Sequence, residues 1–308
     1  MSRAGVVRVG ALALLFLAST MGGAAASTVT SAVAAVPKPA AEYEVSVGDS
    51  YAAGYQPVAS ARAHRDTHGF AYQVVDLARA RGYRFILRNF ACGGATATGI
   101  RQQVGCSLPA PGPDVVSYPT RTQVGAADRF IARHHGKVGL ITVSIGGNDI
   151  LGCTAAANFI SCLTQALPGI ETNLHELLTG LRQAAGPGVP IVGLTYPDVF
   201  LGNYTSKDPS DQSLALASIG AFERLVNPAL ETEYSDVSAA FVDVTKAAGA
   251  YVPLTETIPW PSAPSGRIPV AVADICSLTY YCGLHDVHPT ARGYRVIARL
   301  IVATLPRR

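Results

Sequence analysis

The tetrapeptide Gly48-Asp49-Ser50-Tyr51 follows the run Glu44-Val45-Ser46-Val47 and carries a serine hydroxyl to the end of what reads as a strand. A serine hydroxyl is a weak nucleophile until a neighbouring base takes its proton. Among seven histidines, His288 is the candidate base. It stands in Leu284-His285-Asp286-Val287-His288-Pro289-Thr290, directly before the last helical segment, where Pro289 fixes the loop. His64, His68, His134, His135 and His175 fall in loops or on helix surfaces and read as solvated residues. Attack on an acyl carbonyl also needs donors for the developing oxyanion. The Ser50 N–H qualifies if Ser50 opens a short helix. A backbone N–H at Gly93-Gly94 qualifies because no side chain there hinders approach, and Asn148 in Ser144-Ile145-Gly146-Gly147-Asn148-Asp149 brings a two-proton side-chain amide. Taken singly, each block has a plainer reading as a helix cap or a turn.

Each block follows a short β-branched or apolar run. Such runs occur at Glu44–Val47, Arg84–Phe90, Val138–Val143, Pro190–Leu194 and Ala240–Val244. Between them lie segments with apolar residues three and four apart: Phe70–Ala78, Ile170–Leu181, Leu214–Leu230 and Ala291–Leu305. Strands alternating with helices predict an α/β fold, a parallel sheet covered by helices on both faces. In such sheets ligands bind beyond the carboxyl ends of the strands, where the three blocks are expected. Tyr196–Tyr204 and Tyr251–Trp260 are candidate cleft walls, and Pro253–Pro269 reads as a surface excursion. No internal repeat is visible.

The 308 residues are 49% hydrophobic and 15% charged, enough apolar content to bury a core and too little charge for a disordered chain. Of 24 basic residues 20 are arginine, scattered among 21 acids, so no nucleic-acid partner is expected. Arg3 and Arg8 precede an apolar run at Val9–Ala18, and Ala24-Ala25-Ala26 supplies small residues for cleavage. Residues 1–26 therefore read as a secretory signal, because an apolar run of about ten residues is short of the roughly 20 that span a bilayer. Its removal leaves 22 basic residues against 21 acidic ones. Residues 27–41, with Pro37-Lys38-Pro39, are expected to be a disordered lead-in, and 42–308 a single domain. No cofactor is expected, since neither Gly-x-Gly-x-x-Gly nor a Walker sequence is present. No metal is expected either: His285 and His288 are three apart in a loop with no third ligand nearby.

Four blocks in order resemble those of the SGNH hydrolases, also called the GDSL esterase and lipase family. Gly48-Asp49-Ser50-Tyr51 is similar to the nucleophile block, Gly94 to the second-block glycine, Gly146-Gly147-Asn148-Asp149 to the asparagine block and Asp286-Val287-His288-Pro289 to the histidine block. The resemblance runs from about Tyr43 to the C-terminal helix and implies a three-layer α/β/α fold with a flavodoxin-like parallel sheet. It implies Ser50 as nucleophile, His288 as base, and Ser50 N–H, Gly94 N–H and the Asn148 amide as the oxyanion hole. The family usually places its triad aspartate three residues before the histidine, and here that position is His285. Asp286, two before, or a backbone carbonyl of the loop is left to orient the imidazole.

Six cysteines in an exported chain imply disulfides, with fifteen pairings open. The sequential set, Cys92–Cys106, Cys153–Cys162 and Cys276–Cys282, closes short loops beside the proposed site and is the expected one. The resemblance implies a secreted, monomeric serine esterase or lipase acting on small-molecule or lipid esters through an acyl-enzyme. The alternatives are an acetylesterase or acyltransferase acting on polysaccharide, and a noncatalytic lipid- or glycan-binding module on the same scaffold. A family architecture does not choose among substrates.

Overall fold

The structure, a computed structural model, describes residues 40–57, 67–261, 263 and 265–308. The expected signal segment, the lead-in up to residue 39, and His64 lie outside the described residues. Five strands, β1 (Glu42–Gly48), β2 (Phe85–Asn89), β3 (Val138–Ser144), β4 (Ile191–Leu194) and β5 (Ala240–Val242), form a parallel sheet in the order β2-β1-β3-β4-β5. This is the flavodoxin-like order. The chain leaves β1 to one side for β2 and returns to the other side for β3, so a crevice opens between the carboxyl ends of β1 and β3.

Helices flank the sheet. The Phe70–Ala78 helix packs against the Ala291–Thr304 helix, and the Phe159–Ala185 helix packs against both Gln123–Arg133 and Asn227–Asp236. All seven residues of β3 are buried, as expected of a strand covered on both faces. Leu174, Leu177, Leu178 and Leu181 are completely buried along one stripe of the Phe159–Ala185 helix, each worth roughly 1.5–3 kcal/mol by burial. That helix begins eleven residues before the expected Ile170. Its buried stripe continues through Phe159, Leu163 and Leu167, Pro168 faces solvent, and Asn158 caps the start by accepting the Ser161 N–H at 2.9 Å.

Three further differences have local causes. The last strand ends at Val242, because the Asp243 side chain accepts the Lys246 N–H at 2.8 Å and turns the chain into a short helix at Val244–Ala247. The Gln123–Arg133 helix was not expected. Its buried side is largely alanine (Ala126, Ala127, with Ile131), which leaves little apolar periodicity to read. Pro253–Pro269 contains an antiparallel pair, Thr257–Pro259 with Arg267–Pro269, which buries Ile268 beside Trp260.

One polar feature of the core is unusual. Glu44, in the middle of β1, is completely buried, and neither of its carboxylate oxygens has a partner among the described residues. Ser46, two residues on and so on the same face, and Thr142 beside it on β3 are buried with unpartnered hydroxyls as well. Burial without a counter-charge holds the Glu44 carboxyl well above the ordinary 4.5. A native pKa raised in this way costs nothing below the unfolded value. Stability is then lost as pH rises from there through the native value. Glu44→Gln cannot ionise, so its melting temperature should match wild type most closely near pH 4 and exceed it increasingly toward pH 8. A difference independent of pH in paired thermal melts would show that Glu44 is not the titrating group.

Candidate active site

The nucleophile candidate is positioned by the end of β1. Gly48 has φ +141° and sits so close to β3 that a Cβ there would lie 2.1 Å from the Ser144 carbonyl oxygen. Only glycine fits. The Gln123 side chain holds the same residue from both sides, accepting the Gly48 N–H at 2.6 Å and donating to the Gly48 carbonyl at 3.0 Å. Asp49 then caps a single helical turn, Ser50–Ala53, by accepting the Tyr51 N–H at 2.9 Å. Ser50 therefore opens a helix, and its N–H has no acceptor among the described residues.

The second block lies alongside. The buried Asn89 side chain donates to the Ala52 carbonyl at 3.0 Å and accepts the Ala91 N–H at 3.0 Å, joining the end of β2 to the Ser50 turn. Gly94 follows with φ +77° and open space where a side chain would stand. Its N–H also lacks an acceptor among the described residues. The third block starts the Gly147–Leu151 helix. Here Asn148 donates one amide proton to the Ala95 carbonyl at 2.8 Å, and Asp149 accepts the Ala97 N–H at 2.9 Å. These two bonds tie the second and third blocks together. Ser50, Gly94, Asn148 and His288 line one cavity.

His288 closes the arrangement. Its Nε2 lies 2.8 Å from Ser50 Oγ, and its Nδ1 lies 2.7 Å from Asp286 Oδ1. The same Asp286 oxygen accepts the His288 backbone N–H at 2.9 Å, so the carboxylate two residues back folds onto the ring rather than a backbone carbonyl. His285 has φ +49° and is exposed, with its ring 6.1 Å from that of Tyr281. The loop is pinned by the Tyr51 hydroxyl, which donates to the Val287 carbonyl at 2.6 Å, and by the Tyr280 N–H, which donates to the His288 carbonyl at 3.0 Å. Disulfides Cys92–Cys106, Cys153–Cys162 and Cys276–Cys282 flank the three loops.

Of the expected cleft walls, Tyr196, Pro197, Val199 and Phe200 line a recess beside Ser50. The stretch Tyr251–Trp260 does not. Tyr251 is drawn to Asn227, receiving its amide N–H at 2.8 Å, and Trp260 packs in the separate cluster around Ile268. The other described histidines stay outside the site: His134 stacks on Phe130, and His175 meets Glu233 at 3.0 Å. The roles of Gln123 and Asn89 were missed from sequence, and so was the bond from the Tyr196 hydroxyl to Asp49. Asn89 had a signal, a side-chain amide at the end of a strand, whereas Gln123 is 75 residues from the glycine it holds.

Residues 46–296 match the GDSL-like lipase/acylhydrolase family, and the chain belongs to it. A search of curated proteins found no match. Among solved structures, an extracellular lipase from Streptomyces rimosus is 18% identical, covers 86% of this chain and 100% of its own, and has a TM-score of 0.50. An acetyl xylan esterase from Geobacillus stearothermophilus is 15% identical over 85% of this chain and 93% of its own, TM-score 0.48. A lipolytic G-D-S-L family protein from Veillonella parvula is 14% identical over 86% and 98%, TM-score 0.40. At 18% identity the likeness to the Streptomyces rimosus lipase is one of fold.

The electrostatics suit a neutral base. Burial lowers the His288 pKa below the ordinary 6.5, and the charge and hydrogen bond of Asp286 oppose that without cancelling it. The imidazole is then uncharged at neutral pH, with a lone pair free at Nε2 once Nδ1–H is held by Asp286. Behind the site Asp49 is buried, which pushes its carboxyl up to about 7 against the pull of hydrogen bonds from Tyr196, the Tyr51 N–H and Ser144. NMR titration of the His288 ring should give a value below 6.5, and Asp286→Asn should move it lower still. A wild-type value above 6.5 would mean that attraction to Asp286 outweighs burial.

Proposed function

We propose that this chain is an exported serine ester hydrolase working through an acyl-enzyme. The observation that carries the reading is the 2.8 Å contact between Ser50 Oγ and His288 Nε2, with Asp286 on the far nitrogen. His288 accepts the Ser50 proton as Oγ bonds to the ester carbonyl carbon. The oxyanion so formed is met by the Ser50 N–H, the Gly94 N–H and the Asn148 amide. The bond to the alcohol oxygen then breaks, and His288 returns the proton to that oxygen. Water repeats the sequence on the acyl-enzyme, releasing the acid and restoring Ser50.

Asp286 acts as the orienting group in this scheme, holding the tautomer in which Nε2 faces the serine. Export is supported by the N-terminal pattern of residues 1–26 and by three disulfides, which persist in oxidising surroundings. Among the described residues no helix is long and apolar enough to cross a membrane. A noncatalytic binding module would leave the Ser50–His288–Asp286 chain of contacts without a use, so the enzyme reading is preferred.

Ser50→Ala should abolish hydrolysis of aryl esters by the purified, disulfide-bonded protein. Asn148→Ala should lower kcat by on the order of 10²–10³ with its circular dichroism unchanged. Wild-type rates from a folded Asn148→Ala would remove the amide from the oxyanion hole.

A further inference from the structure

Two recesses meet at Ser50, and both are also lined by Asn148, Leu151 and Val287. They differ in size and in what else faces them. The narrow one has a free volume of about 40 Å³ and is walled by Ile150, Tyr196, Pro197, Val199, Phe200 and Phe222. The wide one has about 520 Å³ and contains Tyr55, Gln56, Ser107, Asp286 and His288. The narrow wall is apolar in effect, because the Tyr196 hydroxyl is spent on the buried Asp49 at 2.5 Å and the Tyr51 hydroxyl on the Val287 carbonyl at 2.6 Å.

We infer that the narrow recess is the acyl slot, that Phe200 and Phe222 limit its capacity, and that the enzyme therefore takes short acyl groups carried on a large alcohol. The inference rests on the serine-ester reading above. Its direction comes from the proton. His288 must return the Ser50 proton to the departing alcohol oxygen, so the alcohol leaves on the side that His288 faces, which is the wide cleft. The acyl carbon is bonded to Oγ, and its substituent extends into the remaining space on the other side. The volume of the narrow recess is less than a tenth of the wide cleft's, about 40 Å³ against about 520 Å³. A short acyl tail therefore suits this recess, and a large alcohol the wide cleft.

The slot is built rather than incidental. Phe200 and Phe222 are buried, with ring centroids 6.4 Å apart, and Phe159 backs Phe200 edge-on at 5.7 Å. A longer chain would have to displace packed aromatic rings, which interiors resist.

The test compares kcat/KM on p-nitrophenyl esters from acetyl to octanoyl, with Ser50→Ala as a control, and on acetates of progressively larger alcohols. Wild type should prefer acetyl to butyryl, fall at least tenfold by octanoyl, and hold its rate as the alcohol grows. Phe222→Ala should move the optimum toward hexanoyl or octanoyl. Because truncating a buried ring can unfold the chain, Phe222→Leu and Val199→Ala are run beside it and should relax the same cutoff. Loss of all activity in Ser50→Ala combined with an octanoyl preference in wild type, or with an unaltered chain-length profile in the folded slot variants, overturns the slot assignment. Rates that collapse on bulky acetates overturn the placement of the alcohol. Full activity in Ser50→Ala is a different result, which overturns the serine reading itself.

Discussion

At the carboxyl ends of β1 and β3 the two backbones approach so closely at Gly48 that a Cβ there would stand 2.1 Å from the Ser144 carbonyl oxygen. The rest of the site depends on that approach. It sets where the chain turns out of β1, so that Asp49 caps and Ser50 opens the turn that follows. It also brings the end of β3 alongside, from which Gly146 leads directly into the helix bearing Asn148. A switch point in a parallel sheet is a crevice by topology, and here the crevice is narrow enough for serine and amide to line the same cavities.

The surrounding polar groups act mainly as ties. Gln123 spans both backbone atoms of Gly48, Asn89 joins the second block to the Ser50 turn, and Asn148 and Asp149 each hold a backbone group of the Ala95–Ala97 loop. Such bonds are each worth roughly 0.5–1.5 kcal/mol net, yet in a buried network their chief effect is on geometry. The buried Asp49 has the same character. Tyr196 and Ser144 reach it from β4's end and β3's end, and its carboxyl, pushed up to about 7 by burial, links the Ser50 turn to the wall of the narrow recess.

The histidine loop comes from the far end of the chain and is not held by the sheet's own hydrogen bonding. It is held by Tyr51, by Tyr280 and by its own Asp286, and the Cys276–Cys282 disulfide closes the segment just before it. Displacing the aspartate by one position relative to the usual family spacing does not prevent the contact, because the carboxylate bends back to take both the ring Nδ1 and the backbone N–H of His288. A turn of this kind needs only two residues of separation.

Much of the fold was legible in the sequence. Alternating apolar runs and helix-period segments determine a parallel α/β sheet, since strand and helix periodicities differ and only helical crossovers join parallel neighbours. Ser50, Gly94, Asn148 and His288 stood out as candidates because each sits in a short, ordered block at a strand end or before a helix. The tertiary structure alone decided the remainder: that Asp286 rather than a backbone carbonyl meets the ring, that Gln123 holds a glycine 75 residues away, and that Phe222 joins Phe200 on one wall. It also placed Tyr251 and Trp260 away from the cleft. The physical reason is the same in each case. Periodicity and local motifs report interactions along a few turns of chain, whereas a side-chain contact between distant segments depends on where packing sets both backbones.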